Sequence, residues 1–107
     1  MVIEYIRYGL TDDAQATAFE RDYALAARFL DDSEHCLSYQ LARCVDQPLQ
    51  YILQIRWDSA DGHLQGFRRS AGFADFVRLV GPYTRQLLEM RHYQPTAVAG
   101  ARPGQAL

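Results

Sequence analysis

Apolar positions dominate residues 2–10, VIEYIRYGL, where β-branched and aromatic side chains suit a pleated, partly buried strand. From residue 12 the period lengthens. Ala16, Phe19, Tyr23, Ala26, Ala27 and Leu30 trace one helical face. Asp12 and Gln15 have capping-box spacing, and Asp12 and Asp13 favour the positive end of a helix dipole, so the pattern predicts a helix over 12–31. After the polar connection DDSEH, CLSYQLARC returns to an extended pattern with Leu37, Tyr39 and Leu41 on one side. VDQP marks a turn, and LQYILQIRW puts Tyr51, Leu53, Ile55 and Trp57 on one face, which completes a β-hairpin.

Beyond Trp57 the period is helical again. Ser59 is positioned to cap a short helix carrying Leu64 and Phe67, and Ser70 to cap a second one carrying Phe73, Phe76, Val77 and Val80. Gly81 and Pro82 end that helix, and YTRQLLEMRHY supplies a last strand. The order strand, helix, strand, strand, helix, strand predicts an α+β fold: a ferredoxin-like βαββαβ domain over 1–96, with a four-stranded antiparallel sheet and both helices on one face. In one choice of register the other face holds Ile6, Tyr8, Ile52, Leu88 and Met90, a surface that would invite a partner sheet. AVAGARPGQAL, 97–107, has no periodicity and is expected to be a flexible tail.

A chain of 107 residues with 49% hydrophobic content supports one modest core, and self-association would add burial. Net charge is −2, and all 11 positive side chains are arginines, which gives no nucleic-acid footprint. Arginines can hold an anionic aromatic ligand or serve as solvated surface. There is no signal-like N-terminus and no membrane-length apolar run, so a soluble cytoplasmic protein without membrane partners is expected. Cys36 and Cys44, eight residues apart on an extended segment, would lie about 26 Å apart, too far to pair, and are expected to be free thiols.

His63 is the leading candidate for proton exchange near neutral pH, although a histidine beside a helix start also serves as a polar contact. His35 and His92 have no local metal spacing with it, HExxH and CxxC are absent, and no metal site is expected. Trp57, Tyr39, Tyr51, Phe67, Tyr83 and Tyr93 can line a cavity for a flat aromatic or fill a core. Arg7, Arg43 and Arg56 are polar candidates near them; Arg68 and Arg69, adjacent on a helix, read as a solvated face. No phosphate-loop, dinucleotide or GxSxG pattern is present.

WDSADGHLQGFRRSAGFADFVRLVGPY, 57–83, with EMRHYQPT, resembles the antibiotic biosynthesis monooxygenase family, chiefly through Trp57, Ser59, His63, Phe67, Ser70, Phe73 and Phe76. The resemblance implies a homodimeric α+β barrel made by packing two sheets face to face, with a cavity between each sheet and its helices. It further implies a cofactor-independent monooxygenase acting on a phenolic, quinol-like or polyketide-type aromatic, with dioxygen as cosubstrate. In that role Trp57 and Phe67, with Tyr39, Tyr51 and Tyr83, would bind substrate, His63 would orient or deprotonate a hydroxyl, and Arg43 or Arg7 would stabilise the oxyanion. The chain has no asparagine, so asparagine-dependent mechanisms of relatives, haem degradation included, do not transfer. A non-catalytic dimeric ligand-binding or accessory domain and an isomerase or cyclase of the same fold are the competing readings.

Overall fold

A computed structural model describes residues 1–105. Strand β1 (Val2–Gly9) leads into helix α1 (Asp13–Asp31), followed by β2 (Cys36–Arg43), β3 (Gln50–Trp57), helix α2 (Phe73–Val80) and β4 (Leu87–Tyr93). The antiparallel sheet has the order β2-β3-β1-β4, the expected ferredoxin-like arrangement.

Asp12 caps α1 by accepting the backbone N–H of Gln15 at 2.7 Å. The reciprocal contact falls one residue earlier than the capping box predicts, because the Gln15 side-chain oxygen accepts from the N–H and hydroxyl of Thr11. Ala16, Phe19, Tyr23, Ala26 and Leu30 are buried, as the stripe requires. Phe19 is the hub of the core: its ring lies about 5 Å from those of Tyr8, Tyr23, Tyr51 and Tyr83. Each such aromatic pair adds about 0.5–1.5 kcal/mol beyond the area it buries.

Sheet parity departs from the provisional assignment. Ile6 and Tyr8 lie on the helix-covered face with Leu53 and Tyr51, and Met90 shares that face as the partner of Ile6. Ile52 alone of the five sits plainly on the open face, opposite Arg7, while Leu88 is the extra residue where the β1–β4 register shifts. The alternation of β1 is ambiguous because both of its faces carry an isoleucine and a tyrosine. What settles it is the pairing with β3, whose Tyr51, Leu53, Ile55 and Trp57 form the more apolar set and are all buried. Leu37 also leaves its predicted face, because the β2–β3 register shifts between Cys36 and Ser38 and exposes it.

The stretch between β3 and β4 differs most from expectation. Ser59 does act as a cap, accepting the N–H of Gly62 at 2.8 Å, but the turn that follows, Gly62–Gly66, is π-helical and passes into a 3-10 turn at Phe67–Arg69. The Ser70 hydroxyl donates back to the Phe67 carbonyl instead of capping α2. Gly81 and Pro82 do not release the chain into a strand; Gly81–Gln86 forms a 3-10 turn, where the missing proline N–H costs nothing, and β4 begins only at Leu87. Residues 97–105 carry no helix or strand, and the last two positions of the predicted tail lie outside the described residues. Among the described residues, no helix is long and apolar enough to cross a membrane. Cys36 and Cys44 are free thiols.

Candidate functional site

The inward positions of β1 are Val2, Glu4, Ile6 and Tyr8. A carboxyl among three apolar neighbours breaks the pattern of its own strand, and such breaks mark functional positions. Glu4 is 2% exposed. The Trp57 indole N–H donates to its Oε1 at 3.1 Å. Burial raises the Glu4 pKa above the usual carboxylate value, with the Trp57 hydrogen bond and the charges of His92 and Arg68 opposing the rise.

His63 stands on the π-helical turn and points inward, 4% exposed. Its ring lies flat on the Trp57 indole, with centroids 4.5 Å apart and planes 11° from parallel. Nδ1 of His63 shares a 2.7 Å hydrogen bond with Nε2 of His92, and Nε2 of His63 faces Glu4 Oε1 at 3.6 Å. Burial, reinforced by the positive charges of Arg68 and His92, lowers the His63 pKa to about 4, so the ring is neutral at neutral pH.

These groups edge a cavity of about 180 Å³ between the sheet and the segment from His63 to Leu87. Trp57, Phe67, Phe73 and Phe76 supply aromatic wall, and Arg68 places a guanidinium at the rim. Tyr8 and Tyr23 also face it, joined through their hydroxyls at 2.8 Å.

Of the sequence candidates, Trp57, His63 and Phe67 come together here. The others do not. Arg7 projects from the opposite sheet face and pairs with Glu89 at 3.6 Å. Arg43 lies over the Tyr51 ring, 5.7 Å from its centroid, at the other end of β3 and about 20 Å along the strand from Trp57. Neither can act on a group bound beside His63. Tyr51 and Tyr83 are core residues whose hydroxyls donate to Glu20 and Asp22 on α1, and burial pushes both phenols up to about 12. Tyr39 donates to Asp31 at 2.7 Å, away from the cavity. The cation that does reach the cavity is Arg68, which is exposed, as the sequence pattern expects, and lines the cavity as well.

Glu4 and His92 are the functional candidates that local spacing missed. They reach His63 through sheet pairing, Glu4 lying opposite His92 across β1 and β4. One ligand-type atom from each of Glu4, His63 and His92 falls within 4.8 Å of the others. The 2.7 Å contact between Nδ1 of His63 and Nε2 of His92 is nevertheless a hydrogen bond, too short for two nitrogens bound to one ion, and the Glu4 carboxylate stands 3.6 Å from Nε2 of His63 and 4.0 Å from Nε2 of His92. That arrangement suits a hydrogen-bonded chain better than a coordination sphere, in which one nitrogen per histidine faces the ion.

Comparison with known proteins agrees with this architecture. The chain is similar to the uncharacterized protein YczJ of Bacillus subtilis (strain 168), 22% identical over 90 residues that cover 84% of this chain and 90% of that one. A Bordetella bronchiseptica structure carrying the name antibiotic biosynthesis monooxygenase matches with a TM-score of 0.76 at 26% identity, over 89% of this chain and 96% of the other. Rv0793 from Mycobacterium tuberculosis matches in fold with a TM-score of 0.72 at 22% identity, over 92% and 98% of the two chains. The family model described as antibiotic biosynthesis monooxygenase matches residues 1–79, and the chain belongs to that family.

Proposed function

We propose that the protein is a homodimeric, cofactor-independent monooxygenase that oxidises a phenolic, quinol-like or polyketide-type aromatic with dioxygen. The observation that carries this reading is the buried, neutral imidazole of His63, stacked on Trp57 at the edge of a cavity with aromatic walls. At about 180 Å³ the cavity is smaller than common ligand pockets of about 300–1,000 Å³, which favours a compact, flat substrate. Loss of the hydroxyl proton makes the ring an electron donor to dioxygen. One oxygen atom then enters the ring carbon, and the other leaves as water with the two hydrogens the substrate has lost. The protein contributes position, proton removal and exclusion of bulk water. Arg68 is the cation placed to stabilise the oxyanion.

In this reading residues 1–96 form the working domain, and the open sheet face packs on its copy. Free Cys36 and Cys44 fit a reducing compartment such as the cytoplasm.

Aerobic and anaerobic turnover of a panel of anthrols and hydroquinones tests the proposal, with oxygen uptake followed beside product. Oxygen-dependent product from one of them supports it; none from any, with folded protein, overturns it. The buried carboxyl of Glu4 favours a second reading, an isomerase or cyclase that moves a proton without oxygen, and turnover undiminished under anaerobic conditions would identify it.

A further inference from the structure

Proton removal in a closed cavity needs an acceptor that is basic enough and a way out for the proton. His63 meets neither need by itself. Its depressed pKa makes it a weak base, and its two nitrogens already face His92 and Glu4. Glu4 is better equipped. Only the Trp57 N–H donates to it among the described residues, and that bond uses Oε1. Among the described residues Oε2 has no donor within hydrogen-bond distance; Nε2 of His92 is 4.0 Å away. A buried carboxylate so sparsely bonded is costly to ionise, which makes it a stronger base than an ordinary carboxylate.

The exit is also visible. His63 connects Glu4 to His92, and His92 lies on β4 with its side chain 29% exposed. Sheet pairing of β4 with β1 sets His92 opposite Glu4 and so supplies the outer end of this chain of groups.

We propose that Glu4 is the catalytic base that takes the substrate hydroxyl proton, and that His63 and His92 pass it from Glu4 to solvent. This rests on the reading that the cavity binds a hydroxylated aromatic. The hydroxyl O–H bond breaks, its electron pair stays on the substrate oxygen, and the proton bonds to a Glu4 carboxylate oxygen. As Glu4 gives its proton to Nε2 of His63, the Nδ1 proton of the same ring passes to Nε2 of His92 and the Nδ1 proton of His92 passes to water, so the buried His63 ring never carries a charge. One proton moves from substrate to solvent, with no change in oxidation state. The 3.6 Å gap between Glu4 and His63 must close by about half an ångström, as catalytic hydrogen bonds commonly do when substrate binds. The other charged or titratable groups facing Glu4 are Arg68, whose charge favours the anion, and the hydroxyls of Tyr8 on β1 and Tyr23 on α1.

A naphthol probe, whose absorbance differs between its neutral and ionised forms, tests this without turnover. The full-length protein is expected to bind it as the anion at a pH well below its solution pKa. Glu4→Gln is expected to bind it as the neutral naphthol, with the ionised fraction falling about tenfold. His92→Phe is expected to leave the bound probe ionised at equilibrium and to slow ionisation after a laser pH jump about tenfold. Anion retained in Glu4→Gln, or neutral probe in the wild type, overturns Glu4 as the base; an unchanged pH-jump rate in His92→Phe overturns the exit path. Should Glu4→Gln fail to fold, Glu4→Asp draws the carboxyl away from His63 and must slow the same relaxation about tenfold; an unchanged rate again overturns the proposal. A wild type that binds no phenolic probe refutes the proposed function itself, an outcome distinct from binding without ionisation.

Discussion

The Trp57 indole and the His63 imidazole lie face to face, 4.5 Å apart and 11° from parallel, while each ring also reaches a different polar group. Trp57 N–H holds Glu4, and Nδ1 of His63 holds His92. The stack therefore fixes the aim of two hydrogen bonds at once. Replacing His63 with alanine removes the link between Glu4 and His92 and bares one face of the indole. Turnover should fall about 100-fold, the lower end of what general acid–base groups supply, with a smaller change in KM. Steady-state kinetics on the best substrate of the anthrol and hydroquinone panel checks this.

How much of this was legible in the sequence depends on the range of the interaction that decides it. Local periodicity found all four strands, both helices and the inward set of β3, because a two- or four-residue spacing is enough to show a buried face. It placed Trp57, His63 and Phe67 together for the same reason: they lie on one short stretch between β3 and α2. Glu4 and His92 are 88 positions apart and meet only through β1–β4 pairing, which one sequence does not reveal. Arg7 and Arg43 illustrate the opposite case. Their charge suited the role, but strand parity sent one to the open face and strand length put the other at the wrong end.

His63 also makes stability depend on pH. Its folded pKa of about 4 lies below the ordinary 6.5, so between those values the unfolded chain binds a proton that the folded chain refuses. Stability is present in full above about pH 6.5 and falls, by up to about 3 kcal/mol, as pH drops toward 4. Glu4 acts in the opposite sense, since its raised pKa favours the folded state at low pH and that advantage is lost as pH rises through the folded value. Urea titrations of wild type and His63→Gln across pH 4–7 separate the two. The stability of His63→Gln relative to wild type should rise with acidity, and a pH-independent difference would contradict a neutral buried imidazole.

Glu4→Gln should stabilise the protein at neutral pH. The glutamine carbonyl can still accept from Trp57, and the cost of holding a carboxyl in an apolar wall disappears. A gain of about 1 kcal/mol would raise Tm by about 4–8 °C in a domain of this size. Greater stability joined to lost turnover is the signature of a group kept for chemistry, and differential scanning calorimetry at pH 7 measures the first half of it.

The open sheet face gives a separate test of assembly. Ile52 on β3 and Tyr93 on β4 are both partly exposed there, among polar neighbours that include Gln54 and Arg56. In a sheet-to-sheet dimer Ile52 is buried, so Ile52→Glu places two like charges in the interface and should shift the protein to monomer. Sedimentation velocity reads the outcome, and wild-type protein that is monomeric at high concentration would refute the dimer.

Gly66 shows how tightly the turn that carries His63 is built. A Cβ there would lie 2.3 Å from Cδ2 and 2.5 Å from Nε2 of His35, whose ring covers the turn while its Nδ1 bonds Asp58 at 2.9 Å. That ring cannot yield as a flexible chain end would, so Gly66→Ala must either push His35 off Asp58 or distort the π-helical turn. Overpacking of this kind costs about 1–3 kcal/mol. If His35 gives way, its pKa, held above the ordinary value chiefly by the Asp58 hydrogen bond, should fall back, while His63 keeps its place and turnover survives. If the turn gives way, His63 leaves the Trp57 face and turnover falls with stability. The His35 ring resonances, followed by NMR over a pH titration and set beside turnover of the same variant, tell which contact is the stiffer.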